Sequence, residues 1–260
     1  MSLERLIIPF LGAALIGSAL PAAAETRSYT ADYTATFIGI PVARATFTST
    51  IENDGGLEMR GSLQSAGLAR FFSSTSGNAN LSARIHGQGV EPRNFQVAFS
   101  SGGRPDGVAI SFHGGSAVAV NHQRPEPERR PTYVPIAPEH LRVVTDPLSA
   151  TLVRASSPGE VCNRRLSIFD GWMRADIQLR PVSTGPLPRH EGEGAVCAGS
   201  FTPVAGFNSD NRDMRHMRDS GDISITFAPL GDTGLYAPVD ASIGTRVGTV
   251  RISAGPLRIN

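Results

Sequence analysis

The chain contains no lysine. Its 24 basic residues are all arginines, set against 23 Asp and Glu, for a formal net charge of +1 over 260 residues. Without lysine there is no Schiff-base nucleophile, no P-loop lysine for phosphate and no Ser–Lys dyad. The near-zero balance supplies no field that would draw the chain to nucleic acid or another acidic polymer. Cysteine is almost as scarce: Cys162 and Cys197 are the only two, and they lack the C-x-x-C spacing that lowers a thiol pKa for redox work. The six histidines, His86, His113, His122, His140, His190 and His216, fall in no metal-ligand spacing. Neither an H-E-x-x-H pair nor a G-x-S-x-G elbow occurs. The sequence therefore nominates no catalytic residue, no metal ligand and no cofactor.

Long apolar runs are absent too, apart from Leu6 to Leu20. Arg5 precedes that run, and Ala22-Ala23-Ala24 closes it with the small-x-small pattern that a signal peptidase cuts. At about 15 residues it is shorter than the roughly 20 that a helix needs to span a bilayer. Residues 1–24 thus read as a signal peptide, and residues 25–260 as an exported chain without a transmembrane segment, in a bacterial periplasm. No cysteine follows the cut, so a lipoprotein anchor is not expected. In an oxidising compartment an even pair of cysteines reads as a disulfide, here Cys162–Cys197.

What the sequence does have is a period of two. Tyr29, Ala31, Tyr33, Ala35 and Phe37 alternate with polar residues, and after a Gly39–Pro41 break Ala43, Ala45, Phe47, Ser49 and Ile51 repeat the pattern. Asn53-Asp54-Gly55-Gly56 marks a reversal, after which Leu57, Met59, Gly61 and Leu63 share a face. Alternating segments with Gly-rich turns continue to about residue 122 and resume after residue 164. Asp170-Gly171 reads as a two-residue hairpin turn, and Asp210–Asp222 as a charged loop or short helix.

Residues 124–139 hold five prolines. Proline cannot join a sheet interior, so this segment reads as a strap packed across one domain. Asp146 as a cap, Pro147 at the first helical position, and Leu148, Thr151, Leu152 and Ala155 as an apolar stripe predict a short helix over 146–155. The fold class expected is all-β, mainly antiparallel. It is a single domain over 25–260, built as a strongly curved sheet or half-open β-barrel with one short helix plugging an open side or end.

Three segments carry a resemblance: TDPLSATL at Thr145–Leu152, IFDGWMRADIQL at Ile168–Leu179, and TPVAGF around Pro203. With the Tyr33–Arg44 strand pair and the terminal GTVRI, the chain is similar to the exported bacterial family catalogued as domain of unknown function 3108. It departs from the family's habit in having Trp172-Met173 after the Asp-Gly turn, where basic residues are usual, and Phe201 where an aromatic hydroxyl is usual. The resemblance implies a periplasmic β-rich fold and carries over no catalytic residue.

The functional expectations follow from shape. Ala31, Ala35, Ala43, Ala45, Ala79 and Ala83 on the inward face leave either a cavity or room for a close-packed helix. Trp172, Arg174, Arg212 and Arg215 are candidates for a binding rim; alternation of Trp172 with Arg174 and Asp176 puts these three on the wetter face. One reading is a non-enzymatic protein of the cell envelope that binds a lipid-like ligand or an envelope protein partner. The alternative is a periplasmic hydrolase whose site is assembled from dispersed Asp, His and Ser. Oligomeric state is not encoded in any of these features.

Overall fold

The computed structural model describes residues 26–67, 74–87, 89–125, 129–220 and 222–259, so residues 1–24, read above as a signal peptide, lie outside the described residues. The first half is a run of strands joined mostly by tight turns: β1 (Arg27–Phe37), β2 (Ile40–Ile51), β3 (Gly56–Ser65), β4 (Thr75–His86), β5 (Gly89–Ser101), β6 (Arg104–His113) and β7 (Ser116–His122). The proline-rich segment then crosses to the second half, where Tyr133–Val134 (β8) pairs with Phe207–Asn208 and Ile136 and Leu141 pack on the core. The second half continues through β9 (Val153–Arg154), β10 (Arg164–Phe169), β11 (Arg174–Leu187), β12 (His190–Ala205) and β13 (Phe207–Asn208). It ends with helix α1 (Arg212–Ser220), β14 (Ile223–Pro229), β15 (Leu235–Thr245), β16 (Gly248–Ala254) and β17 (Arg258–Ile259).

All but β8 and β13 belong to one sheet, ordered β10-β11-β12-β14-β15-β16-β1-β2-β3-β4-β5-β6-β7, with β17 added to β1 and β9 to β15. Every ladder is antiparallel. The two halves of the chain meet at β16–β1, where Tyr33 faces Ala254 and Phe37 faces Val250. Among the described residues no ladder joins β7 to β10, so the sheet is curved but not closed. Side chains bring these distant regions together instead. A Cβ at Gly171, in the β10–β11 turn, would lie 2.7 Å from Val108 of β6, which leaves room there only for glycine. Trp172 stacks edge-on to Phe99 and tilted to His122, with centroids 6.1 and 5.6 Å away.

The core lies between β3–β6 and the crossing segments: Leu57, Leu81, Phe95, Ile110, Leu148 and Phe169 are all buried in one cluster. A second cluster surrounds Cys162 and Cys197, which form a disulfide with Cα atoms 5.3 Å apart.

Two local expectations are corrected. Residues 146–155 do not form a helix: the segment makes one 3₁₀ turn, Ser149–Thr151, and then extends. The reason is a competing ladder, since Val153 and Arg154 pair with Tyr236 and Leu235 of β15 and draw Leu152 into an extended conformation. Among the described residues the one α-helix is α1, capped by the Asn211 side chain, which accepts from the backbone N–H of Asp213 (2.9 Å) and Met214 (3.2 Å). The Asp170-Gly171 pair is likewise not the centre of its turn: the Asp170 N–H donates to the Met173 carbonyl at 3.2 Å, so Gly171 and Trp172 are the two central residues. Phe169 pairs with Arg174, and Asp170 Oδ1 accepts from the N–H groups of Trp172 (2.8 Å) and Met173 (2.7 Å), closing a four-residue turn.

Asp146 still caps, although no helix follows. Its Oδ1 accepts from the N–H groups of Leu148 (2.8 Å) and Ser149 (3.0 Å), while Oδ2 is buried with no hydrogen bond among the described residues. Burial pushes the carboxyl's pKa up against these lowering hydrogen bonds. Asp146→Ala removes the cap and is expected to cost about 1–2 kcal/mol. Asp146→Asn, a neutral isostere, gives the pH test. Because the folded pKa is raised, Asp146 contributes most relative to Asn below the ordinary carboxylate value of about 4, and loses ground as pH rises through the raised value. Urea midpoints of wild type and Asp146→Asn measured across pH check this; a gap that widens in favour of wild type with rising pH would contradict it.

Candidate cavity and its walls

One row of small and branched side chains runs across five strands. Ala43 (β2) faces Ala35 (β1), Ala35 faces Ile252 (β16), Ile252 faces Ala241 (β15) and Ala241 faces Ile225 (β14). Register partners project to the same side of a sheet, so the row forms a shallow floor with little to fill the space above it. Alongside it, Ala45 pairs with Tyr33 and with Leu63, and Ala31 pairs with Phe47. Over this floor lies a cavity of about 860 Å³.

The remaining walls come from elsewhere in the chain. Leu148, Thr151 and Leu152 of the Asp146-capped turn form one side, so this turn occupies the place expected of the helix. Leu230, Leu257 and Ile259 form another, and Arg189 to Gly192 of the β11–β12 hairpin a third. Ile225 belongs both to the cavity wall and to the cluster on which Met214 and Met217 of α1 pack. The six inward alanines therefore divide: Ala31, Ala35, Ala43 and Ala45 line the cavity, whereas Ala79 and Ala83 pack in the filled core with Leu81 and Phe95.

Polar groups in the lining are few. Tyr33 donates its hydroxyl to the Pro238 carbonyl at 2.9 Å, and burial pushes its pKa up to about 12, so it stays a neutral donor. Asp240 Oδ2 accepts from Ser253 at 2.7 Å. Burial, with Arg189 beside it, lowers the His190 pKa, which favours the neutral imidazole. Arg44, Arg189 and Glu191 add exposed charge. Among the described residues no hydrogen bond links His190 to Ser49, Glu191 or Asp240, and no three His, Cys, Asp or Glu side chains come together as a metal site. Among the described residues no helix is long and apolar enough to cross a membrane. An apolar enclosure with a few polar groups suits a ligand that is mostly hydrocarbon.

None of the four rim candidates lines this cavity, and the structure does not gather them into one site. Trp172 is half-buried against Phe99 and His122. Arg174 is buried rather than on a wet face, and so is Asp176: the guanidinium donates to Asp176 Oδ1 and to the Ala175 carbonyl, both at 2.6 Å. Alternation failed here because a buried ion pair satisfies both charges, so both faces of the strand can be covered. Arg212 and Arg215 are exposed on α1, where Arg215 donates to the Ser209 carbonyl at 3.2 Å. Arg129 stacks on Tyr133, 4.6 Å from the ring centre. Reasoning from sequence missed the walls supplied by β14–β16 and by Arg189–Gly192; Leu235–Ile259 reads plainly as strands, but their neighbour across the sheet, β1, lies more than 200 residues away.

The family described as "Protein of unknown function (DUF3108)" matches residues 28–254. No curated protein matches the chain. Among solved structures, a β-barrel-like protein of the domain of unknown function DUF1849 from Brucella abortus is similar at 10% identity, with 92% of this chain and 100% of that chain covered and a TM-score of 0.44.

Proposed function

Starting from a chain that belongs to the DUF3108 family, we propose a non-enzymatic binding protein of the cell envelope whose cavity takes a lipid-like ligand with one or more acyl chains. The observation that carries this reading is the cavity of about 860 Å³ above the Ala43–Ala35–Ile252–Ala241–Ile225 row. Small-molecule sites commonly occupy about 300–1,000 Å³ and are lined mainly by apolar groups around a few polar ones. Each methylene moved from water into such a space gains about 0.8 kcal/mol, so a long chain gains enough to bind without any strong polar anchor. The signal-peptide pattern of residues 1–24 and the buried disulfide support a periplasmic address, because both suit export to an oxidising compartment.

Detergent-free protein titrated with dansyl-labelled undecanoic acid tests the proposal. Saturable fluorescence enhancement, displaced by unlabelled palmitate, is the expected result. Ala35→Phe and Ala241→Phe place a ring in the open space and are expected to weaken binding about ten-fold or more without lowering Tm. Probe binding that survives both substitutions, or never occurs, overturns the proposal; esterase turnover of acyl substrates would favour the hydrolase instead.

A further inference from the structure

The β1–β2 hairpin turns through two residues, Ile38 and Gly39, both in the left-handed region with φ of 49° and 79°. A turn with positive φ at both positions is normally filled by Asn-Gly, because a β-branched side chain is strained there. Here the strained residue is also 65% exposed, and its side chain packs only lightly, over Gly248. Ile40, the next residue, is 51% exposed.

A second apolar tip stands beside the first. The β15–β16 hairpin carries Val247, 63% exposed, and the two tips are tied together by the Ile38 N–H donating to the Thr249 carbonyl at 3.1 Å. Gly248 allows this approach: a Cβ there would lie 2.8 Å from the Ile38 side chain. Behind the tips, exposed Arg251 faces Thr36 and exposed Arg44 faces Thr34, and neither is in an ion pair among the described residues. Arg246, in the second tip, is held by Asp213 of α1 at 3.0 Å.

We propose that the paired tips, Ile38, Ile40 and Val247 backed by Arg44 and Arg251, dock on the surface of an anionic lipid bilayer. Aliphatic tips enter the boundary between headgroups and acyl chains, and unpaired arginines behind them meet lipid phosphates, the combination that holds interfacial elements on membranes. Strain retained at an exposed position fits a residue kept for what it touches outside the protein. The docked end is also the end where Ala35 and Ala43 of the cavity floor approach the β1–β2 turn, which places the cavity close to the lipid. This inference stands on the tips and does not require the acyl-binding reading.

Sedimentation with sucrose-loaded vesicles tests it, using phosphatidylcholine alone and an equal mixture with phosphatidylglycerol. Wild type is expected to sediment with the mixed vesicles and to be released by salt. Ile38→Asn is expected to weaken that binding about ten-fold while raising Tm by about 2–4 °C, since asparagine accepts the left-handed turn. Val247→Asn is expected to weaken binding without the gain in Tm, and Arg251→Gln to weaken it only on the mixed vesicles. A merely structural Ile38 would lower Tm when replaced and leave sedimentation unchanged, which overturns the proposal. So does absence of vesicle binding in wild type, or a dimer that Ile38→Asn converts to monomer, which would make the tips a contact between copies. The dansyl titration reads cavity binding separately, so failure of either proposal is visible without the other.

Discussion

Asp176→Ala is expected to cost about 3–5 kcal/mol, among the most damaging single substitutions in the protein. Asp176 is buried, and three side chains converge on its carboxylate: Arg174 at 2.6 Å, Ser167 at 3.0 Å, and Arg165. Removing the carboxylate leaves Arg174, a residue only 7% exposed, with just the Ala175 carbonyl to accept from its guanidinium among the described residues. The energetic penalty is that of a stranded charge rather than of a lost contact, and a second variant separates the two. Arg174→Met with Asp176→Leu removes both charges while keeping apolar volume, and is expected to recover most of the loss. Urea denaturation of the three proteins reads this directly; a double variant no more stable than Asp176→Ala would show that shape, not charge, governs the site.

The same carboxylate predicts part of the acid sensitivity. Burial alone would raise its pKa, but the hydrogen bonds from Arg165 and Arg174 outweigh burial and hold it below the ordinary carboxylate range. A lowered folded pKa contributes stability that is complete above the unfolded value of about 4 and is lost as pH falls through the folded one. Wild type should therefore lead Asp176→Asn at neutral pH by a margin that shrinks on acidification, the opposite trend to Asp146.

Arg174 and Asp176 also show where reading the sequence stops. A period of two assigns alternate faces, and for β1 to β3 that was enough, because each face there has one environment. The alternation that groups Ala31, Ala35, Ala43 and Ala45 places them together on the cavity floor. On β11 consecutive residues Arg174, Ala175 and Asp176 are all buried, since α1 packs against the cluster containing Ala175 while the ion pair satisfies its neighbours. Nothing in one strand's pattern reports that a helix some 40 residues later will cover it. The helix falls in the Asp210–Asp222 segment read as a charged loop or short helix; charge left both readings open, as Met214 and Met217 are the only strongly apolar side chains on α1. Conversely, TDPLSATL carries a sound capping signal at Asp146, and what cancelled the helix was a ladder to β15, visible only in three dimensions. The cavity was legible as a shortage of volume on one face, and its enclosing walls were not.

Breaking the disulfide has the other large effect. Cys162 follows the 3₁₀ turn Pro158–Glu160, and Cys197 lies in the middle of β12, 35 residues on. The loop they close contains β10, β11 and the first part of β12, which is one edge of the open sheet. Among the described residues β10 has a ladder with β11 on one side and only the single bridge from Ile168 to Thr145 on the other, so apart from that ladder its hold comes from side chains such as Phe169 in the core. In the chain-entropy account a loop of this length stabilises by about 4 kcal/mol. Both cysteines are buried with Val161, Leu179 and Phe227, so Cys162→Ala with Cys197→Ala adds a small packing loss without burying a new polar group. The double variant is expected to lose about 4–5 kcal/mol in urea. Its amide exchange should rise first across residues 164–181, while β1 and β2, held on both sides at the centre of the sheet, stay protected. In wild type, by contrast, two thiols should become reactive only after unfolding and reduction together. An unchanged midpoint on reduction would mean that the β10 edge is held by its ladder and packing without the disulfide, and the protein would then be as stable in a reducing compartment as in an oxidising one.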